Sequence, residues 1–464
     1  MLTERDTVEI NESRIENALN AVQGDDPGRV NAVLEKAREL KGLEEEDVGV
    51  LCTITAPDLL EQLFEAARYA KEEIYGRRLV LFAPLYVSNL CQNECGYCAF
   101  RRSNKELRRR ALTQEEVAQE TRILIDQGHK RILLVAGESY PGDGIEYVLD
   151  CIKTIYATKH KHGEIRRVNV NVAPLTVDQF RELKSAQIGT YQVFQETYHR
   201  DTYGKVHLSG KKADYDWRIT AMDRAMEAGI DDVGVGVLFG LYDWRFEVMA
   251  MMQHIRHLED HFGVGCHTIS VPRMEPAWGA ALSEAPPYPV SDLDFKKLTA
   301  IFRLAVPYTG IIMSTRETPE MRRETFELGV SQISAGSRTN PGGYQEDEYD
   351  ASQFSLGDHR NLDEVIRDIA DLGYIPSFCT GCYRLGRTGE DFMDLAKPGL
   401  IKNHCEVNAV STFAEYLEDY ASEATCQAGE ACIERALAEM PEARRNRTLS
   451  LVRRVRGGER DVYV

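Results

Sequence analysis

Three cysteines lie close together in the segment CQNECGYCAF, residues 91–100. Cys91, Cys95 and Cys98 are spaced four and three positions apart, which suits thiolate ligands of one metal centre. A closed structural zinc site uses four protein ligands, so this set lacks one. The alternatives are a zinc site completed by a histidine, three incidental cysteines, or an iron–sulfur cluster that leaves one iron open to a small molecule.

The charge balance limits the class of partner. The chain has 464 residues, with 56 Lys and Arg against 74 Asp and Glu and a formal charge of −18. This charge predicts neither a nucleic-acid nor an anionic-membrane partner, because both would be repelled at long range. We identify no signal peptide and no membrane-spanning apolar run. With eleven cysteines, the chain is therefore expected in a reducing cytoplasm, where clustered cysteines more often bind metal than form disulfides.

Short β-rich runs alternate with amphipathic segments from about residue 79. The eight runs are 79–87, 131–136, 167–173, 189–195, 232–239, 267–271, 310–314 and 330–335. Helix-start signals lie between them: Thr113 and Thr176 each precede a Glu or Gln by three positions, and Thr318 precedes a proline. This order predicts an α/β fold, a (β/α)8 TIM-type barrel of parallel strands.

Two further regions flank the predicted barrel. Residues 1–75 are predicted to form a helical N-terminal extension, residues 76–375 the barrel, and residues 376–464 a C-terminal domain that binds a second cluster. The C-terminal region contains the segment SFCTGCYRLG. Five other cysteines match no motif and are interpreted mainly as small buried residues: Cys52, Cys151, Cys266, Cys426 and Cys432.

The loop of Cys91, Cys95 and Cys98 resembles the CxxxCxxC loop of the radical S-adenosylmethionine (SAM) superfamily. It leaves the C-terminal end of the first strand, where barrels carry their active sites. The resemblance implies a [4Fe–4S] cluster whose fourth ligand is the amino and carboxylate groups of SAM. It also implies that Tyr97 packs beside the adenine.

Two strand ends extend this resemblance. The segment AGES, residues 136–139, is similar to the GGE motif of the superfamily, although Ala136 replaces the first glycine. The similarity implies that Gly137, Glu138 and Ser139 contact SAM, with its ammonium at this motif. Glu196 in QET, residues 195–197, is expected at the ribose hydroxyls. For both glutamates, an ordinary carboxylate at the barrel mouth is the alternative.

Longer segments resemble the aromatic amino-acid lyase branch of the superfamily. They are residues 195–218, 267–273 and 333–344. The branch includes the tyrosine lyase of thiamine synthesis and the maturase of [FeFe]-hydrogenase. Cys379, Cys382 and Cys405 form C-x2-C-x22-C, which resembles the auxiliary-cluster motif of the maturase family. This implies a second [4Fe–4S] cluster, with an additional iron bridged by a free cysteine. His267 matches the imidazole ligand of that iron, with His404 as the alternative.

The resemblance also implies a reaction. Tyrosine would be cleaved to p-cresol and dehydroglycine, and dehydroglycine converted to CO and cyanide on iron for assembly of the hydrogenase H-cluster. Arg316, at the end of the seventh strand, offers a bidentate partner for the tyrosine carboxylate, and Ser314 lies nearby. An ion pair of Arg316 with Glu317 or Glu320 is the alternative. Expected partners are a reductant such as ferredoxin or flavodoxin, a hydrogenase maturation scaffold and a companion maturase.

Two other classes of function remain open. One is a thiamine-type or related aromatic amino-acid lyase with a structural second cluster, and the other is an iron–sulfur electron carrier. Parallel strands place the first cysteine loop at the top of the barrel, and Cys379 and His267 at the bottom. The two clusters are therefore expected about 20 Å apart or more, which is the length of one strand. Gly234 and Gly236 are small enough to leave a path between them, although tight packing explains them equally well.

Overall fold

The computed structural model describes residues 8–21, 25–142, 144–161, 163–346 and 352–464. Its strands, in chain order, are β1 (Arg78–Ser88), β2 (Arg131–Ala136), β3 (Lys159–His160), β4 (Gly163–Glu164), β5 (Arg167–Asn171), β6 (Tyr191–Gln192), β7 (Val233–Gly236), β8 (Thr268–Ser270), β9 (Gly310–Met313), β10 (Val330–Ser334) and β11 (Ile375–Ser377).

The α-helices begin where the sequence places capping residues. Thr113 and Thr176 each form a complete capping box, and the Thr318 hydroxyl accepts from the Met321 amide, which confirms the three predicted helix starts. The helices are α1 (Glu12–Ala21), α2 (Pro27–Arg38), α3 (Glu45–Cys52), α4 (Pro57–Tyr75), α5 (Gln114–Asp126), α6 (Glu146–Ala157), α7 (Val177–Ser185), α8 (Arg200–Val206), α9 (Tyr215–Ile219), α10 (Ala221–Glu227), α11 (Trp244–Phe262), α12 (Ala281–Glu284), α13 (Asp292–Ala305), α14 (Pro319–Phe326), α15 (Leu362–Asp371), α16 (Gly381–Arg384), α17 (Gly389–Ala396), α18 (Lys402–Asp419), α19 (Glu423–Glu439) and α20 (Glu442–Arg456).

Eight parallel strands close into a barrel. Their order is β1, β2, β5, β6, β7, β8, β9 and β10, and β10 pairs with β1 to close the ring. The predicted (β/α)8 barrel is therefore confirmed. The short hairpin of β3 and β4 lies outside this sheet.

The predicted strand limits differ most at the fourth run. Residues 189–195 were expected to be a strand, but regular pairing on both sides leaves only β6, two residues long. The chain continues beside β7, where the Val193 and Gln195 amides donate to the Gly234 and Gly236 carbonyls. Pairing on one side alone keeps the chain extended without a full ladder. The run therefore ends close to Glu196, as the sequence implied.

A ninth strand joins the barrel from below. β11 pairs in parallel with the start of β1, matching Arg78 with Ile375 and Val80 with Ser377. The sequence pattern did not reveal β11, because it is three residues long and contains Pro376. β1 is long enough, at eleven residues, to pair with β11 at its start and with β2 further along. Cys379 follows two residues after β11 ends.

Helices form most of both ends of the chain, and those at the N-terminal end agree with the predicted helical extension. At the N-terminal end, α1 and α3 pack on α11, and α4 packs on α13. At the C-terminal end, α18 packs on β11 and α20, while α19 packs on α15. Among the described residues, no helix combines the length and apolar character needed to cross a membrane.

Two candidate cluster sites at opposite ends of the barrel

The upper cavity lies at the C-terminal ends of the strands and measures about 190 Å³. It brings together nearly all the residues predicted for the first site. These are Cys91, Cys95, Cys98, Tyr97, Gly137, Glu138, Glu196, Ser314 and Arg316. Ser139 is the exception, because it lines a separate outer groove with Leu90 and Arg109. Cys91 lines both spaces.

Backbone hydrogen bonds fix the cysteine loop. The Cys98 amide donates to the Cys95 carbonyl at 3.2 Å, and the Gly96 amide donates to the Val206 carbonyl at 2.9 Å. Burial raises the pKa of Cys91 to about 11, and it also raises the pKa of Cys98. Iron must therefore displace a proton from each thiol when a cluster binds.

The donor set suits a cluster better than a single ion. In the described part of the chain, no group of three or more His, Cys, Asp or Glu side chains is arranged to hold one metal ion. A cubane cluster instead takes each thiolate on a different iron, so the sulfur atoms need not converge on one point. Three thiols lining one cavity, with no fourth cysteine there, fit a [4Fe–4S] cluster with one open iron.

Gly137 allows the cysteine loop to lie against the end of β2. A Cβ atom at this position would come within 2.3 Å of the Leu90 carbonyl oxygen. The next residue, Glu138, accepts from Asn93 Nδ2 at 2.7 Å and from Arg218 Nη1 at 2.8 Å. Burial raises the pKa of Glu138, but Arg218 and Lys212 outweigh it and hold the pKa below its usual value. Glu138 is therefore a fixed anion beside the thiols.

Glu196 adopts a left-handed backbone conformation, with φ of 72°. Such a conformation is uncommon for a residue with a side chain and often marks a functional position. Its carboxylate lies 2.6 Å from Lys212 Nζ and 3.8 Å from Arg218 Nη2. Asn93, Lys212 and Arg218 were not predicted as site residues, because the sequence does not reveal how the cysteine loop after β1 meets the segment after β6, where the Lys212 amide donates to Asn93 Oδ1 at 3.1 Å.

Tyr97 is buried beside the cysteines. Its hydroxyl lies 2.8 Å from His207 Nε2. Lys212 Nζ lies 5.7 Å from the centre of its ring. The ring is therefore held in place at the cavity wall and presents an aromatic surface to a bound ligand.

Arg316 is a half-buried cation that lines the upper cavity. Its guanidinium stacks 3.3 Å from the centre of the Phe354 ring. The expected alternative partners are engaged elsewhere: Glu317 pairs with Arg273, and Glu320 lies beside Arg323. In the described ranges, no carboxylate forms an ion pair with Arg316. Burial lowers its pKa. The geometry suits recognition of an incoming carboxylate.

The lower cavity lies at the other end of the barrel and measures about 50 Å³. It is lined by Cys379, Cys382 and Cys405 together with His267. The three cysteines belong to the C-terminal tail that follows β11, and His267 immediately precedes β8. The residues predicted for the second site therefore also share one cavity. His404 does not line it, and its Nδ1 accepts from Arg387 Nη1 at 3.0 Å.

Two thiols of the lower set are in direct contact. Cys382 donates to Cys405, which holds the pKa of Cys405 well below the usual thiol value despite burial, with Arg78 and Arg387 adding to the effect. The Gly381 amide donates to Cys379 Sγ at 3.3 Å. Donors aimed at sulfur favour thiolates, which are the ligands an iron–sulfur cluster needs. The residues present therefore fit a second cluster.

His267 faces an acidic neighbour. Its Nδ1 lies 3.5 Å from Asp232 Oδ1, and its ring packs 4.7 Å from the Phe392 ring. Burial lowers the pKa of His267. A neutral imidazole with Nδ1 turned to a carboxylate leaves Nε2 as the metal-binding atom.

The two cavities approach each other inside the barrel. On β1, Val80 lines the lower cavity and Phe82 the upper one. On β10, Gln332 lines the lower cavity and Ser334 the upper one. Residues two apart on a strand are separated by about 7 Å. The space beside Gly234 is filled by Gln192 and Thr268, so this glycine serves close packing rather than an open path. Gly236 likewise packs against Phe194.

Two family models match successive parts of the barrel sequence. A model of the radical SAM superfamily matches residues 85–255, and one of the biotin and thiamin synthesis associated domain matches residues 270–375. The 2-iminoacetate synthase of Escherichia coli (strain K12) is 32% identical over 367 residues, which are 78% of this chain and 94% of that protein. The chain belongs to the radical SAM superfamily.

Solved structures show which branch of the radical SAM superfamily this enzyme resembles. A crystal structure of HydG, a maturase of the [FeFe]-hydrogenase, has a TM-score of 0.95 and 51% identity, covering 98% of this chain and 99% of that one. HydG from Carboxydothermus hydrogenoformans has a TM-score of 0.84 and 40% identity, covering 95% and 97%. The radical SAM chain described here therefore belongs to the tyrosine lyase branch that includes 2-iminoacetate synthase and HydG.

Proposed function

We propose that this enzyme cleaves tyrosine to p-cresol and dehydroglycine at the upper cavity. Dehydroglycine is then converted to CO and cyanide on iron at the lower cavity, for assembly of the H-cluster of an [FeFe]-hydrogenase. The observation that carries the proposal is the pair of three-thiol cavities at opposite ends of one barrel.

The side chains of the upper cavity divide into two roles. Cys91, Cys95 and Cys98 would hold the [4Fe–4S] cluster, and Tyr97, Gly137, Glu138 and Glu196 would surround SAM. When bound, this pair supplies a 5′-deoxyadenosyl radical. Ser139 lies in the adjoining groove, so it would act on the cysteine loop rather than on SAM directly.

Arg316 and Ser314 would position the substrate. The unpaired Arg316 guanidinium can bind the tyrosine carboxylate in a bidentate manner, and Ser314 lines the same wall. Holding the carboxylate fixes the amino group and the Cα–Cβ bond relative to the cofactor. Phe354 and Met274 add apolar surface to the wall of the same cavity.

At the lower cavity, Cys379, Cys382 and Cys405 would hold the second [4Fe–4S] cluster. His267 would bind the additional iron that a free cysteine bridges to the cluster. A reductant such as ferredoxin or flavodoxin would supply electrons, and a maturation scaffold with a companion maturase would receive the product. We place the protein in the cytoplasm because these clusters and thiols require reducing conditions.

A thiamine-type tyrosine lyase is the second candidate. The 32% identity to 2-iminoacetate synthase favours it. That match covers 78% of this chain, whereas HydG structures cover 95% or more. In this second candidate the lower cluster would be structural, and dehydroglycine would leave the enzyme intact.

Anaerobic turnover with tyrosine and SAM tests the proposal, with p-cresol and CO measured together. We expect both products, and about eight or nine irons per chain for two clusters and one added iron. Cys91→Ala should abolish both products, because the upper cluster loses a ligand. Formation of p-cresol without CO by the fully loaded protein would favour the thiamine-type lyase. An electron carrier would consume no SAM.

A further inference from the structure

The charged residues around the two cavities are balanced differently. In the upper cavity three cations face three carboxylates: Lys212, Arg218, Arg316, Glu138, Glu196 and Glu275. In the lower cavity three cations face one carboxylate: Arg78, Arg131, Arg387 and Asp232. Each cavity also has three thiols, so a cluster would add a similar charge to both. The lower cavity therefore keeps an excess of positive charge that the cluster alone does not explain.

Two of the lower cations are buried without a carboxylate. Arg78 is 8% exposed and Arg131 is 5% exposed, and in both the Nε atom is buried without a hydrogen-bond partner. Arg131 Nη2 donates to the Cys379 carbonyl at 2.9 Å, and the Arg78 guanidinium lies 5.1 Å from the centre of the Tyr75 ring. No carboxylate in the described residues forms an ion pair with either one. Both arginines act electrostatically on the cysteine thiols of the cavity, and a further anion would stabilise these two buried charges.

The other two charged groups of the cavity are already engaged. Arg387 donates to the Val464 carbonyl at 2.8 Å and to His404. Asp232 Oδ1 accepts from the Gly389 amide at 3.2 Å and faces His267. Arg78 and Arg131 are therefore the cations with donor capacity for a ligand. At about 50 Å³ against about 190 Å³, the lower cavity also suits a much shorter molecule than the upper one.

We propose that Arg78 and Arg131 form a carboxylate-binding subsite for a two-carbon α-imino acid beside the lower cluster. This inference rests on the proposed function, in which dehydroglycine forms above and reacts below. Two guanidinium groups would hold its carboxylate and leave the imine end free to face the cysteines. A free α-amino acid from solution shares this chemistry and is the other source of such a ligand.

Binding to the lower cluster alone distinguishes the two sources. In a protein with Cys91, Cys95 and Cys98 all changed to Ala, the electron paramagnetic resonance signal reports only the lower cluster. Glyoxylate, the stable two-carbon probe, and L-cysteine are titrated separately. We expect glyoxylate to shift the signal, and Arg78→Gln or Arg131→Gln to weaken its binding at least tenfold. If these variants bind L-cysteine more weakly but bind glyoxylate as the parent does, the assignment to the imino acid is overturned.

Turnover of the otherwise unmodified enzyme provides the second readout. Arg78→Gln should leave p-cresol formation within about twofold. The yield of CO per p-cresol should fall at least tenfold. The dehydroglycine that is not captured adds water and leaves as glyoxylate and ammonia, so glyoxylate should rise by the amount that CO falls. Arg78→Lys should recover part of the CO yield, because it restores the charge but not the bidentate geometry.

Arg384→Gln is the matched control. Arg384 lies on α16 close to the same cysteines but outside the cavity, and it pairs with Asp461. We expect this variant to match the parent enzyme in both products. An unchanged CO yield in Arg78→Gln and Arg131→Gln would overturn the proposal. Loss of lower-cluster iron in both variants would also overturn it, because the arginines would then be countercharges for the cluster. Absence of p-cresol from the parent enzyme would instead remove the proposed function.

Discussion

Gly137 shows at the scale of one residue how closely the cofactor site is packed. The Leu90 carbonyl occupies the space where a side chain would begin, and Cys91 is the next residue. Any side chain at position 137 should therefore displace Leu90 and with it Cys91, the first proposed cluster ligand. Because a cluster needs its thiolates in fixed positions, a small change here should have a large effect.

We expect Gly137→Ala to lose the upper cluster. The added Cβ atom would meet backbone at 2.3 Å, which cannot rotate away as a side chain can. Iron per chain should fall by about four, the content of one cubane, and p-cresol should disappear. Gly204→Ala on α8 is the control, because a Cβ atom there meets nothing within 4 Å. Full iron content in Gly137→Ala would show that the loop tolerates the shift.

Arg316 gives a second prediction at this scale. Arg316→Leu should weaken tyrosine binding by about 2–4 kcal/mol, because a buried carboxylate would lose its charge partner. That is roughly a 30- to 1000-fold rise in Kd. Binding of tyrosine and SAM can be measured separately by calorimetry under anaerobic conditions, and SAM affinity should change little. Arg323→Leu, on the surface of α14, serves as the control. Equal tyrosine affinity in Arg316→Leu would place the carboxylate elsewhere.

At this scale the sequence predicted the cysteines and glutamates of the upper cavity better than the residues that contact them. The cysteine spacings and the two glutamates at strand ends identified residues that do line the upper cavity. Lys212, Arg218 and Asn93 were missed, because their contacts with Glu138 and Glu196 depend on how two loops meet in space. Spacing along a chain can identify a ligand set, but it does not identify partners contributed by distant segments.

At the scale of secondary structure, α11 supports the left-handed turn at Glu196. Glu247 on this helix accepts hydrogen bonds from the Thr197 hydroxyl and, at 2.8 Å, from the Tyr198 amide. Both donors immediately follow Glu196. The helix therefore holds the segment that positions a predicted SAM ligand. Burial raises the pKa of Glu247 to about 8.

This raised pKa predicts a pH dependence of stability. The Glu247 carboxyl keeps its proton in the folded protein up to about pH 8, whereas it ionises near 4.5 when unfolded. The folded state therefore binds the extra proton, and its contribution to stability is lost as pH rises towards 8. The slope approaches about 1.4 kcal/mol per pH unit for one proton. Anaerobic denaturation at pH 6.5 and 8 would measure it.

Glu247→Gln should flatten this dependence, because the amide resembles the protonated carboxyl and does not ionise. The difference in unfolding free energy between pH 6.5 and 8 should be smaller in the variant than in the parent. Asp260→Asn on the exposed side of α11 is the control and should keep the parent slope. A parallel pH dependence in Glu247→Gln and the parent would contradict the assignment.

Strands and helices were predicted best where the hydrophobic pattern or an N-cap residue marks them clearly. The eight barrel strands and the starts of α5, α7 and α14 follow from alternation and from Thr113, Thr176 and Thr318. β11 was missed because three residues with a proline carry too little pattern. Its place is set by hydrogen bonds to β1, nearly three hundred positions earlier in the chain, and a local pattern cannot show such a partner.

At the scale of the whole molecule, β1 links the two cavities. Its first residues pair with β11, two residues before Cys379, and its last residue lies three positions before Cys91. From Val80, opposite Ser377, to Ser88 the strand rises by about 26 Å at 3.3 Å per residue. The predicted separation of about one strand length is of the same order. A change in one site should therefore disturb the other little.

Changing Cys379 and Cys382 together to Ser should separate the two reactions. The lower cluster would be lost, because serine oxygens are poorer ligands for its iron. We expect p-cresol to persist while CO and cyanide disappear. His267→Ala should be milder, losing the additional iron and keeping the cluster, since three thiolates remain. Infrared detection of iron carbonyl, together with iron counts, measures both effects. Normal iron carbonyl in the double variant would favour the thiamine-type lyase.

The overall arrangement was predictable because strand direction in a parallel barrel assigns each loop to one end. Cys91 follows a strand and Cys379 follows the last barrel helix, so opposite ends were implied from the sequence. The balance of charge in the lower cavity was not predictable. Arg78 and Arg131 begin strands, where a cation is usually interpreted as a solvated end, and only closure of the barrel by the tail buries them.

The pairing of β11 with β1 makes the lower site a joint product of two parts of the chain. The thiols come from the tail, whereas Arg78, Arg131 and His267 belong to the barrel. A fragment ending before β11 would keep Arg78 and Arg131 without the sulfur, and the complementary fragment would keep the sulfur and Arg387 without the two barrel arginines. Neither part of the chain could therefore form the lower cavity by itself, because its thiols and the barrel arginines meet only where the tail packs on the start of β1.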